Sequence, residues 1–119
     1  MVDVQAIIHE KEYKGQTTYS INPKKDINYG DSILVRKKNK EGKPFENKFN
    51  KDKPNYLCWV SINDVDASLW LTTKQHEEYK KLGGVDSLIR ITRKENKFLN
   101  EKTGVKILYD DLDFELVEE

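Results

Sequence analysis

Tyr56-Leu57-Cys58-Trp59-Val60-Ser61-Ile62, the turn Asn63-Asp64-Val65-Asp66 and Ala67-Ser68-Leu69-Trp70-Leu71-Thr72 together decide the fold. Both apolar runs are rich in β-branched and aromatic residues, and two-residue alternation assigns their side chains to opposite faces. Cys58, Val60 and Ile62 share one face with Leu69 and Leu71. Leu57, Trp59 and Ser61 share the other with Ser68, Trp70 and Thr72. A strand hairpin is therefore predicted, with one face greasy and continuous and the other mixing tryptophan with hydroxyls.

One helix follows directly. Thr72 with Gln75 three residues later is a capping-box pattern, Tyr79 and Leu82 lie on one side, and Gly83-Gly84 ends the run. Its polar side, Lys74, His76, Glu77, Lys80 and Lys81, reads as solvated. Ser87-Leu88-Ile89-Arg90-Ile91-Thr92-Arg93 is the next strand, with Ile89 and Ile91 inward and Arg90 outward. A turn-rich stretch over 94–103 leads to short strands at 105–108 and 114–117. Upstream, residues 2–8 and 17–21 flank the turn Lys14-Gly15-Gln16 as an opening hairpin. Asn22-Pro23 breaks the run, and residues 32–37 form a strand after the turn Tyr29-Gly30-Asp31. Residues 38–55 hold two prolines, a glycine and no aliphatic side chain, which reads as a long loop or loose hairpin. The expectation is a single domain over 1–119, mainly β with one short helix. Its element order is that of an OB-like small β-barrel of five or more antiparallel strands, with the helix between strands three and four.

Composition narrows the function classes. The 119 residues carry 21 basic and 21 acidic side chains, so 35% of the chain is charged at zero formal net charge. No apolar run approaches the length of a membrane-spanning helix. Acids stand in the opening MVDVQAIIHE where a secretion signal has lysines, and a single cysteine fits a reducing compartment, so the reading is of a cytoplasmic protein. Two remote histidines, His9 and His76, and one cysteine lack the spacing of a zinc site. No phosphate loop, nucleophile elbow or metalloprotease motif occurs. A nucleophile pair would have to be Cys58 with His76, and the apolar run Leu57-Cys58-Trp59-Val60 favours a buried structural thiol instead. The expectation is a non-enzyme without cofactor or metal.

The zero net charge conceals sorting. Residues 36–53 hold eight Lys/Arg against three acids, and residues 110–119 hold six acids and no base. In the basic segment Arg36, Lys38, Lys43 and Lys48 alternate with Phe45 and Phe49, while Lys37, Lys40, Lys51 and Lys53 add to the density. Such a segment suits a phosphate backbone through counterion release. Trp59, Trp70 and Arg90 on one sheet face suit base stacking, which every nucleobase can join through its π-face. The acidic segment reads either as a closing edge strand over 112–117 or as a free tail that contacts a protein partner.

The stretch from Leu69 to Arg93, with a strand, a short helix, a turn ending in Val85-Asp86 and the strand Ile89-Arg90-Ile91-Thr92-Arg93, resembles small OB-fold single-stranded DNA-binding proteins of phages and archaeal viruses. The family pattern has Gly-Asp where this chain has Val85-Asp86. The resemblance implies a viral DNA-replication protein that binds single-stranded DNA through aromatics and basic loops, and it carries over directly to Trp70, Arg90 and Arg93. The expected function is thus non-catalytic single-stranded nucleic-acid binding, DNA before RNA, through Trp59, Trp70, Arg90, Arg93, Arg36, Lys38, Lys43, Phe45, Lys48 and Phe49. The competing expectation is a protein–protein interaction module, of viral or mobile-element origin, that acts on a host complex.

Overall fold

A computed structural model describes residues 2–48 and 51–118. The hairpin at its centre pairs β6 (Asn55–Ile62) with β7 (Val65–Leu71) in the register Leu57↔Trp70, Cys58↔Leu69, Trp59↔Ser68 and Val60↔Ala67. The two-residue turn is set by Asn63 and Asp64, whose φ values of 50° and 65° match the right-handed strand twist. The same device at Lys14-Gly15, with φ of 52° and 77°, joins β2 (His9–Tyr13) to β3 (Gln16–Ser20).

From this hairpin the sheet extends both ways, in the order β2-β3-β7-β6-β4-β8-β9. The further strands are β4 (Asp31–Lys37), β8 (Leu88–Asn100) and β9 (Val105–Leu116). Off this path, β1 (Val2–Asp3) pairs in parallel with β4, and β5 (Lys43–Phe45) pairs with β6. The core lies on the inward face and contains Ile33, Val35, Cys58, Val60, Ala67, Leu69, Leu71, Ile89 and Ile91, each no more than 2% exposed. These are the alternating positions that strand periodicity selects.

The protein is mainly β, and several expectations need correction. The sheet is not closed into a barrel: its path ends at β2 and β9. The outer edge of β7 is taken by β3, in parallel at Ser20↔Ser68 with the Ile21 amide donating to the Ser68 carbonyl at 3.0 Å. The base of β9 instead meets helix α2, where Gln75 donates to Asp111 at 3.0 Å. The opening hairpin uses residues 9–13, since residues 2–3 leave it to lie beside β4. Pro23 starts a second, four-residue helix, α1 (Pro23–Asp26), at the N-terminal position where its fixed φ suits a helix. The stretch 94–103 is mostly strand, so β8 and β9 form one long ribbon. Of the two readings of the acidic segment, the edge strand is the one formed, as the end of β9 up to Leu116.

The predicted helix is α2 (Thr73–Lys80), with both capping-box bonds formed between Thr72 and Gln75. Its C-terminal end depends on Lys37, which the basic-segment reading had assigned to phosphate contact. Lys37 is fully buried, and its Nζ donates to the carbonyls of Tyr79 at 3.0 Å and Leu82 at 3.1 Å. The ammonium also sits 4.4 Å from the Tyr79 ring centroid. Carbonyls at a helix C-terminus lack intrahelical donors and carry partial negative charge, so a cation there satisfies both needs. Burial pulls the Lys37 pKa below its ordinary value, and the carbonyls and ring face are what keep a buried ammonium tolerable.

Lys37→Met keeps the apolar stem but strands two carbonyls. It is expected to cost about 1–3 kcal/mol of stability, read as a lower urea midpoint at unchanged slope.

Candidate nucleic-acid interface

Outward-facing residues of the central hairpin build the site. Leu57 opposite Trp70 and Trp59 opposite Ser68 set the two tryptophans at diagonal positions on one face of the ladder. Trp59 is 37% and Trp70 49% exposed. On one flank, β5 pairs Lys43↔Leu57 and Phe45↔Asn55, which brings both side chains to the same face. Phe45 meets Trp70 edge-on, with centroids 5.2 Å apart at 69°, and the Lys43 ammonium lies 5.6 Å from the Phe45 ring. On the other flank, the β3–β7 contact brings up Thr18 and its ladder partner Lys11, with Tyr13 one alternation further. Lys11, Tyr13, Thr18, Phe45, Leu57, Trp59, Ser68 and Trp70 line one open groove of about 510 Å³. Aromatic faces, hydroxyls and two flexible ammonium groups share a single solvent-facing surface.

Helix α2 positions the flank carrying Lys43 and Phe45. The Gly42 amide donates to His76 Nε2 at 2.8 Å, and the imidazole stacks flat on Tyr56 at 3.8 Å. At the loop's other end, the Thr73 hydroxyl donates to the Pro54 carbonyl at 2.7 Å. Gly42 itself admits no side chain, because a Cβ there would stand 2.7 Å from Cys58 Sγ and 3.0 Å from the Leu57 carbonyl oxygen. The solvated-face reading of α2 therefore needs correction at His76. Glu77 and Lys80 do pair in solvent at 3.1 Å, whereas Gln75 and His76 are buried. Cys58 is fully buried as well, and burial raises its thiol pKa to about 12, so it is protonated at neutral pH.

Of the ten residues singled out from sequence, the structure brings Trp59, Trp70, Phe45 and Lys43 together. The arginines lie elsewhere, and Arg90 and Arg93 hold acids of the same chain. Arg90 grips Asp3 through two bonds of 2.9 and 3.1 Å and reaches Glu115 at 3.3 Å. Its guanidinium holds the Asp3 carboxyl below the usual range. Arg93 donates to the Ile27 carbonyl at 2.6 Å and to Asp110 at 3.1 Å, with Tyr29 stacked 4.4 Å away. Arg36 donates to the Asp86 carbonyl at 3.0 Å beside a separate hollow that includes Leu34, Ser61 and Leu88. Lys38 lies 3.8 Å from Asp66. Lys48 is exposed, and Phe49 lies outside the described residues.

Lys11 and Tyr13 were missed. Their alternation with His9 in the sequence marks a common strand face, but only the parallel contact of β3 with β7 brings that face beside Trp70. Comparison with known protein families, with curated proteins and with solved structures finds no match to this chain.

His76 makes the loop attachment pH-sensitive. Burial first, then the nearby Lys80 ammonium, pull its pKa below the ordinary 6.5, against the smaller pull of Glu77 and Glu41. Protonation would also remove the Nε2 lone pair that receives the Gly42 N–H. The unfolded chain then binds the proton more readily, so this stabilisation is complete above the ordinary value and lost as pH falls below it. Urea midpoints of the native protein should drop between roughly pH 7 and pH 5, and His76→Gln should flatten that decline.

Proposed function

We propose that this chain is a non-catalytic single-stranded nucleic-acid-binding protein, with single-stranded DNA its first ligand. Bases stack on Trp59, Trp70, Phe45 and Tyr13, and Lys11 and Lys43 meet the phosphates from either flank. The observation that carries this reading is the groove itself, in which four exposed aromatic rings share one open sheet face with lysines at both margins. A flat array of π-faces accepts any base, and flanking ammonium groups follow a backbone without reading sequence.

The strand path supports the finer reading as an OB-like fold. Strands β4, β6, β7, β8 and β9 are consecutive neighbours along the sheet as β7-β6-β4-β8-β9, and α2 falls between the third and fourth of them in the chain. In an OB-fold the face of strands two and three and the loops after strands one and four receive oligonucleotides. Of these parts, the β6–β7 face and the β5 segment of the basic stretch 38–54 carry the groove here. The engagement of Arg90 and Arg93 with acids favours a second reading, a protein–protein module, in which the same aromatic face receives a polypeptide.

Titration with a poly-dT strand is expected to quench tryptophan fluorescence to saturation, more weakly at high salt. Trp70→Ala should lower affinity by about 1–3 kcal/mol with the fold intact, since Trp70 is half exposed. Replacing both Lys11 and Lys43 with alanine should reduce the slope of log affinity against log salt by about 1.4. Unchanged fluorescence together with flat anisotropy of labelled strand would reject nucleic-acid binding and leave the polypeptide reading.

A further inference from the structure

Beyond Lys94 in β8 and before Asp111 in β9, the two strands pair only with each other among the described residues, in the register Asn96↔Tyr109, Lys97↔Leu108, Phe98↔Ile107, Leu99↔Lys106 and Asn100↔Val105. The ribbon leaves the body of the sheet with apolar side chains on both faces. Phe98, Ile107 and Tyr109 share one face and are 57%, 47% and 41% exposed; Leu99 and Leu108 share the other at 53% and 55%. Its outer edge is the run Val105-Lys106-Ile107-Leu108-Tyr109, without proline or bulge and with one charge. Native edge strands are ordinarily blunted against pairing, and a contiguous exposed apolar surface marks a place where another surface is received.

Charge selects the occupant. Residues 96–109 carry Lys97, Lys102 and Lys106 against Glu101, three cations minus one anion, or +2. The flanking residues 88–95 and 110–116 carry Arg90, Arg93 and Lys94 against Glu95, Asp110, Asp111, Asp113 and Glu115, three minus five, or −2. The ribbon is thus positive at its tip and negative at its base. Two such ribbons placed antiparallel about a two-fold axis set each tip beside the other's base, and the same patch serves both copies, so the contact closes on itself. We propose that the β8–β9 ribbon is a homodimerisation arm, with β9 of one copy running antiparallel to β9 of a second and their apolar side chains covering one another. This surface is separate from the tryptophan groove, and the proposal does not depend on what that groove binds.

Sedimentation velocity on the full chain, from low micromolar to several hundred micromolar, reads the proposal directly. The native protein should approach twice the 14.0 kDa chain mass as concentration rises. Phe98→Ser with Ile107→Ser should remain monomeric throughout, with circular dichroism and tryptophan emission unchanged. Lys97→Glu with Lys106→Glu, at two tip positions that no core contact requires, should weaken the dimer about tenfold or more by setting acid beside acid. If the serine pair does not fold, the charge-reversed pair decides. A native protein that stays monomeric over the whole range, or a charge-reversed variant that dimerises as well as the native one, would overturn the proposal. Poly-dT binding is scored separately by tryptophan quenching, so the two proposals fail independently.

Discussion

The ammonium of Lys37 under the last turn of α2 is the interaction on which the remaining arrangement rests. One side chain from a central strand donates to two carbonyls that the helix cannot satisfy itself. The helix is thereby fixed against β4, and its residues become anchors: buried His76 holds Gly42, buried Gln75 holds Asp111, and Thr73 holds Pro54. Two of these tie down the ends of the basic loop, and the third ties β9. An exposed lysine would give none of this, because water would compete for the same donors. The short helix thus links the loop that carries Lys43 and Phe45 to the strand that carries the acidic segment.

Zero net charge has a structural meaning here. Arg90 and Arg93 do not await a polyanion; they bind Asp3, Asp110 and Glu115 and hold the N-terminal strand, α1 and β9 to the sheet. Tyr29 donates to Asp110 as well, and together with Arg93 it keeps that carboxyl below the usual range. Much of the acidic segment is therefore the counterpart of the arginines of β8. The cations left at the aromatic face are lysines on thin margins, Lys11 and Lys43, whose flexible stems suit point contact with phosphate rather than a fixed bidentate grip.

Much of the fold was legible because its signals are local. The capping box at Thr72 and Gln75, the turns at Lys14-Gly15 and Asn63-Asp64, and the alternation through β4, β6, β7 and the start of β8 follow from backbone stereochemistry within a few residues. The ribbon was not legible beyond Arg93. Lys94-Glu95-Asn96-Lys97 has polar, turn-like composition, and it is strand because Asp111 to Leu108 pair with it across the hairpin. The extension of the sheet past β7 was equally non-local, since nothing near Ser20 or Ser68 announces that β3 and β7 lie side by side. Among site residues, Trp59 and Trp70 could be placed on a common outward face by period alone, and Phe45 and Lys43 by their company in the basic segment. Tyr13 and Lys11 could not, because their membership depends on a contact between strands about fifty positions apart.

The sequence by itself determined which residues are strand and helix near the centre, which face of each strand is apolar, and that aromatics and lysines would meet solvent together. Those properties depend on periods of two and on caps and turns spanning four residues at most. Tertiary structure alone decided which charges are free to act. A lysine in a basic run became a buried helix cap, a histidine on a polar helix face became a loop anchor, and two arginines became internal ion pairs. Composition counts a charge wherever it falls, but only the folded chain sets it against water, a carbonyl or a carboxylate, and that neighbour fixes what the charge can do.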